Sequence, residues 1–251
     1  MLTKTDAVIL CGGQGKRLQP VVSATPKVLA ELHGRPFLDI LIAHLKKQGI
    51  RRVVLCTGYK ADQVEDYYRG NPQGLTFEFS RESDPLGTGG ALRNAQYFIE
   101  SDPFLVFNGD SFCGVDLNAF WDFHQSKLAR ASVVVSSRRS PRGLSGEEPI
   151  GRAKDAGAFG KIFLDDDAKV MGFREKETAE AEHGVNAGVY CFNEDVSSFM
   201  PETKRFSLEY DLFPALVGRG LYGFRVDTEF YDIGTPERYA AARQALERIK
   251  Q

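Results

Sequence analysis

Four stretches of this 251-residue chain set glycines beside charged or amide side chains in ways that suit phosphate or cation chemistry. The first, Gly12-Gly13-Gln14-Gly15-Lys16-Arg17, directly follows the apolar run DAVILC. Glycines there let backbone N–H groups close around phosphate oxygens, while Lys16, Arg17 and the nearby Lys27 bring positive charge. The loop lacks the G-K-[ST] ending of a Walker A motif and the glycine timing of G-x-G-x-x-G, so alone it reads equally well as a tight connection. The second, Asn108-Gly109-Asp110, closes an apolar strand at the edge where open α/β sheets gather ligands. A carboxylate there suits a hard cation such as Mg²⁺, or else an Asx turn ending the strand. The third, Tyr231-Asp232-Ile233-Gly234-Thr235-Pro236, puts a second acid before a helix and reads also as a capping loop. In the fourth, Glu175-Lys176 with Asn186-Ala187-Gly188, a carboxylate and an amide can hold hydroxyls and the lysine a phosphate. A lone Glu-Lys pair is otherwise solvated surface.

Strand and helix patterns alternate through the first 110 residues and would position these segments. Residues 6–11 read as a buried strand running into the glycine loop. Phe37, Leu38, Leu41, Ile42 and Leu45 fall at helical spacing, with Gly49 as the stop. RVVLCT (52–57), TFEFS (76–80) and FLVFNGD (104–110) read as strands, with helices over KADQVEDYYRG and ALRNAQYFIE between them. That alternation predicts an α/β fold with a mostly parallel sheet covered by helices on both faces. Downstream, the patterns predict a helix over 117–127, a strand over 132–137 and a long Gly-, Pro- and charge-rich loop over 140–160. KIFLDDDAKVMGFREK reads as a hairpin about a D-D-D-A turn, and VNAGVYCF (185–192) as a further strand. Thr235 is placed to cap a final helix, with Pro236 at its first position. With no repeat or linker in view, one domain over 1–251 is expected.

Bulk properties narrow the partners. A hydrophobic content of 42% and a charged content of 26% are ordinary for a water-soluble globular chain. A formal charge of −2 gives no reason to expect nucleic acid or an anionic membrane, so an anionic ligand must be met by local Lys and Arg. Cys11, Cys56, Cys113 and Cys191 lack metal-type spacing and read as buried free thiols of a reducing compartment. The first residues are too soon interrupted by glycine for a signal peptide, and no apolar run reaches the roughly 20 residues of a membrane span. A cytoplasmic protein is expected.

Taken together, these segments resemble the sugar-1-phosphate nucleotidyltransferases, or sugar-nucleotide pyrophosphorylases. The resemblance rests on Leu10-Cys11-Gly12-Gly13-Gln14-Gly15-Lys16-Arg17-Leu18 with Pro26-Lys27, and on Pro85-Leu86-Gly87-Thr88-Gly89-Gly90-Ala91. Asn108-Gly109-Asp110, Phe173-Arg174-Glu175-Lys176, Asn186-Ala187-Gly188 and Asp232-Ile233-Gly234-Thr235-Pro236 continue it in order, so that it covers essentially the whole chain. Within the family, Val21-Val22-Ser23, Gly34-Arg35-Pro36-Phe37-Leu38 and Phe206-Ser207-Leu208-Glu209 resemble the D-glycero-α-D-manno-heptose 1-phosphate guanylyltransferases. These last stretches are expected to pack the domain without touching the base.

The resemblance implies a Rossmann-like nucleotidyltransferase fold that joins a nucleoside triphosphate, with GTP expected, to a sugar 1-phosphate and releases pyrophosphate. It implies a nucleotide site formed by Leu10, Gly12, Gly13, Gly15, Lys16 and Arg17, with Glu82, Gly87, Thr88, Gly89 and Asn108. Arg17, Lys27 and Asp110 would be catalytic, and Asp110 with Asp232 would hold Mg²⁺. Gly160, Glu175 and Asn186 would contact the sugar and Lys176 its phosphate. Glu82, Ser83 and Asp84 are candidate acceptors for the guanine N–H groups. Lys16 departs from the family's usual threonine, and the 140–158 stretch is longer than the family leads one to expect. A homodimer is compatible with the resemblance. The rivals are the same reaction with uridylyl or thymidylyl transfer or another sugar, a catalytically silent regulatory relative, and an NAD-dependent dehydrogenase. Both acids and all three phosphate cations are present, which argues against the silent relative, and the glycine spacing argues against the dehydrogenase.

Overall fold

The computed structural model describes residues 2–22, 24–137, 161–174, 183–228 and 230–246. Strand β1 (Asp6–Leu10) leads through the glycine loop to a small hairpin, β2 (Glu31–Leu32) and β3 (Arg35–Pro36), and then to helix α1 (Phe37–Lys47). Next come β4 (Arg52–Thr57), α2 (Ala61–Gly70), β5 (Thr76–Arg81), α3 (Gly87–Ala95) and β6 (Phe104–Asn108). The second half runs β7 (Ser111–Cys113), α4 (Leu117–Ser126), β8 (Ala131–Ser136), β9 (Lys161–Leu164), β10 (Val170–Arg174) and β11 (His183–Phe192). A π-helical turn (Leu208–Leu212), α5 (Phe213–Leu216), β12 (Leu221–Val226), β13 (Phe230–Asp232) and α6 (Pro236–Leu246) complete the described chain.

The main sheet has the order β10-β9-β11-β6-β1-β4-β5, with β8 beside β11 and β12 beside β8. Pairings among β6, β1, β4 and β5 are all parallel, as the alternation of strands and helices requires. Around β11 the sheet turns mixed: β11 is antiparallel to β6, β8 and β9, while β12 is parallel to β8. Side chains alternate across each strand, which divides the apolar interior in two. Ala7, Ile9, Val53, Leu55, Leu105 and Phe107 pack with Leu38, Leu41 and Leu45 of α1 on one face. Val8, Val54 and Val106 pack with Leu92 and Ala95 of α3 and with Phe213 on the other.

The hairpin read from KIFLDDDAKVMGFREK forms, with Ala168 left-handed in its turn and Asp165 accepting the Asp167 and Lys169 N–H groups. Helix α6 starts at Pro236, and the Thr235 hydroxyl accepts the Arg238 N–H at 3.4 Å. The sequence patterns do not announce the two-residue strands β2 and β3, the β7–β13 pair, the π-helical turn, α5 or β12. All four cysteines are free and buried. No helix among the described residues is long and apolar enough to cross a membrane. The expected loop over 140–158 lies outside the described residues.

Candidate active site

The glycine loop leaves the end of β1 beside the ends of β4 and β6. The Cys11 N–H donates to the Cys56 carbonyl at 3.1 Å, and the Tyr59 N–H donates to the Gly12 carbonyl at 3.0 Å. A side chain at Gly12 would strike the Glu82 carboxylate, with its Cβ 2.8 Å from Oε1, so glycine lets Glu82 reach the loop. Gly15 is left-handed, φ 59°, and lies against the Lys27 side chain. This lays Lys27 under the loop, where its Nζ meets Asp110.

A cleft of about 460 Å³ opens over these strand ends. Leu10, Gly12, Gly13, Gly15, Lys16, Arg17, Lys27, Glu82, Gly87, Thr88, Asn108 and Asp110 all line it, segments from four separate parts of the chain. Arg205 lines it too. Sequence reasoning missed that residue, because an exposed cation in an irregular stretch carries no local pattern. Gly89 does not line the cleft. It packs behind it, its N–H donating to the Phe206 carbonyl at 3.0 Å and its Cα so near the Phe206 ring that a Cβ would sit 2.2 Å from Cε2. Ser83 and Asp84 are exposed and bonded to each other, whereas Glu82 faces the cleft and accepts the Leu86 N–H at 3.1 Å. Burial raises the Glu82 carboxyl above its ordinary value, opposed by that N–H.

Asp110 and Asp232 are far apart in sequence and neighbours in space. Gly109 makes the turn after β6: its N–H donates to the Leu10 carbonyl at 2.9 Å, and a Cβ would lie 3.0 Å from that oxygen. Strand β7 then leaves the sheet and pairs with β13, setting Ser111 opposite Asp232. The Ile233 N–H donates to the Asp110 carbonyl at 3.1 Å. Lys27 Nζ lies 2.5 Å from Asp110 Oδ2, and Ser111 Oγ donates to Oδ1 at 3.2 Å. Desolvation pushes the Asp110 carboxyl up, but the Lys27 charge and hydrogen bond, with Ser111, outweigh it and hold the group below its ordinary value. Its side chain is 41% exposed, so a ligand in the cleft can reach it.

Asp232 is buried, 5% exposed, and accepts the Gly234 N–H at 2.8 Å and Arg238 Nη1 at 3.2 Å. Burial raises its carboxyl, Arg238 and the Gly234 N–H oppose this, and the nearby Asp110 charge adds to the rise. The capping-loop alternative read for Asp232 is therefore present too, since its carboxylate holds the Gly234 and Arg238 groups of the segment entering α6, and that carboxylate is still brought to Asp110. Among the described residues no group of three or more His, Cys, Asp or Glu side chains could cage a metal. Two neighbouring carboxylates, Asp110 lining the cleft and Asp232 behind it, are the kind of donor set that suits Mg²⁺, which keeps several waters and takes one or two carboxylates with substrate phosphate.

Asn186 lies on β11 where its register against β8 shifts between Asn186 and Tyr190. Gly188, left-handed at φ 69°, sits against Asn108, and the Gly188 N–H donates to Asn186 Oδ1 at 2.9 Å. The bulge lies where β11 passes from pairing with β9 to pairing with β6. Asn186 thus faces the Asn108 end of the site without lining the cleft itself. Gly160, Glu175 and Lys176 lie outside the described residues.

Comparison with known proteins places the chain in a family. The family model described as "Nucleotidyl transferase" matches residues 6–249. The chain is 35% identical to the mannose-1-phosphate guanylyltransferase of Mycobacterium tuberculosis, over 98% of this chain and 65% of that protein. It is 34% identical to the D-glycero-α-D-manno-heptose 1-phosphate guanylyltransferase of Aneurinibacillus thermoaerophilus, over 96% of this chain and 98% of that one. Among solved structures, HddC from Yersinia pseudotuberculosis complexed with GMP-PN superposes with a TM-score of 0.76 at 31% identity, over 98% of this chain and 100% of that chain.

Proposed function

From this chain's membership of the nucleotidyl transferase family, as a sugar-1-phosphate nucleotidyltransferase, we propose that it transfers a guanylyl group from GTP to a manno-configured sugar 1-phosphate, with heptose the favoured sugar. The reading is supported by relatives named for guanylyl transfer to mannose 1-phosphate and to the manno-heptose 1-phosphate. The observation that carries the base choice is Glu82. It is an acidic side chain of the cleft, seated against Gly12 and Gly58. Guanine presents a ring N–H and an exocyclic amine, and each left unpaired would cost about 1–3 kcal/mol. A carboxylate accepts both, whereas uracil or thymine offers one such donor.

The reaction joins two polyanions. A sugar-phosphate oxygen attacks the α-phosphorus in line and pyrophosphate leaves. The nucleophile is already an anion at neutral pH, so no general base is invoked. What this chain supplies is position and charge: the loop amides and Arg17 and Lys27 on the triphosphate, Lys176 on the sugar phosphate, and Asn186 on the sugar. Asp110 and Asp232 would hold Mg²⁺, which when bound supplies neutralisation of phosphate charge on both substrates. Lys27 Nζ, 2.5 Å from Asp110 Oδ2, brings its positive charge to the same edge of the cleft.

A pyrophosphate-release assay tests the reading, crossing GTP, UTP, dTTP, CTP and ATP with a panel of sugar 1-phosphates. The expected result is turnover dominated by GTP with manno-heptose or mannose 1-phosphate, and loss of GTP preference in Glu82→Gln. A product dominated by UDP- or dTDP-sugar would overturn the guanylyl assignment.

A further inference from the structure

A second polar system runs from the nucleotide end of the cleft to β11, and it centres on Glu209. The π-helical turn carries this carboxylate against α3. Its Oε2 accepts from Thr88 Oγ1 at 2.8 Å and from Ser207 Oγ at 2.7 Å, and its Oε1 accepts from the Tyr190 hydroxyl at 3.4 Å. The Tyr190 oxygen in turn accepts from Asn186 Nδ2 at 3.0 Å. Tyr190 is fully buried, and burial together with the Glu209 charge holds its hydroxyl protonated far above the ordinary range.

Counting protons fixes the direction of every bond. An ionised carboxylate only accepts, so the single Tyr190 proton points at Glu209. The Asn186 amide must then offer N–H to the phenol oxygen. The Asn186 Oδ1 is taken by the Gly188 N–H, which leaves that side chain with one N–H to give. Thr88 spends its proton on Glu209 and accepts the Leu208 N–H at 2.9 Å, so toward the cleft it can only accept.

We propose that Glu209 is a positioning residue: by taking the Tyr190 proton it leaves the phenol oxygen free to hold the Asn186 N–H, and by taking the Thr88 proton it makes Thr88 an acceptor, and so it couples the sugar-phosphate side of the site to the nucleotide side. This rests on the activity read above. The weight falls on the sugar side. Thr88 keeps its Leu208 partner and has Ser207 within 3.5 Å when Glu209 is altered, whereas Asn186 reaches Glu209 only through Tyr190.

Glu209→Gln tests it, because the amide keeps the shape but can donate as well as accept and no longer obliges the Tyr190 and Thr88 protons to point at it. The expected result is a KM for sugar 1-phosphate raised about tenfold, the weight of one charge-assisted bond. The kcat and the KM for GTP should move far less, and the denaturation midpoint should stay near that of the wild type. Tyr190→Phe should give the same split, and the double variant should be no worse than either single one. Wild-type kinetics in Glu209→Gln, equal weakening for both substrates, or additive effects in the double variant would overturn the proposal. A wild-type protein that turns over no sugar 1-phosphate would instead remove the reading beneath it.

Discussion

The cleft has two walls built on opposite plans. The wall that faces the phosphates is local: one strand, one glycine loop and a lysine a few residues on, held by the parallel strands β1, β4 and β6. The opposite wall is assembled from remote pieces. Asp110 meets Asp232 only because β7 pairs with β13, and Asn186 meets Glu209 only through a buried tyrosine and a π-helical turn. A site that must grip a triphosphate can use backbone N–H groups from any well-placed loop. One that must align a second substrate and a cation needs side chains from several directions, which distant segments supply.

The sharpest way to break this comparison is to remove charge from the assembled wall. Asp110→Asn and Asp232→Asn should each lower kcat on the order of 10²–10³-fold, the weight of charge stabilisation by a held cation. Far-UV circular dichroism should stay unchanged, and near wild-type turnover at low Mg²⁺ in either variant would remove that residue from the metal site.

Lys27 links the walls, and Lys27→Met should lower turnover about 10–100-fold, as expected for a lost charge-assisted contact. The variant also carries a pH signature. The Asp110 carboxyl lies below its ordinary value of 3.8, so its contribution to stability is present above that value and is lost as pH falls through the folded pKa. Without Lys27, burial is opposed only by Ser111 and the Asp110 backbone, and the carboxyl rises from its wild-type position. Denaturation curves between pH 7 and pH 3 should then show the deficit of the variant relative to wild type shrinking on acidification. A constant deficit would mean that the ion pair does not set the Asp110 pKa.

Gly87→Ala probes the seam between α3 and the segment that carries Glu209. Gly87 is left-handed at φ 75°, and a Cβ would lie 2.5 Å from the Phe206 carbonyl oxygen. A loss of about 2–4 kcal/mol is expected, from left-handed strain plus overpacking, read from urea denaturation. An unchanged midpoint would show that this seam yields freely.

The smallest effect belongs to the local wall. Lys16 lines the cleft but is exposed, so Lys16→Thr should raise the KM for the nucleotide only about two- to fivefold, with the difference fading at high salt. A larger change that salt does not reduce would place Lys16 on a specific phosphate contact.

Local order of residues determined much of this protein. Hydrophobic alternation and helical spacing set the parallel half of the sheet, the hairpin after Lys161 and the start of α6 at Pro236, because each depends on residues within a turn or two of one another. The glycine loop and the Asn108-Gly109-Asp110 strand end were legible for the same reason. Tertiary structure alone decided that Gly89 faces Phe206 and not the cleft, that Arg205 joins the rim, and that Glu82 and not Ser83 or Asp84 turns inward. It also decided that Phe206 to Glu209 does more than pack: Glu209 bonds Thr88 and Tyr190, more than a hundred residues apart in the first case. No local periodicity encodes such meetings. They follow from which strand ends the sheet order brings together, and from where a buried polar group can find a partner.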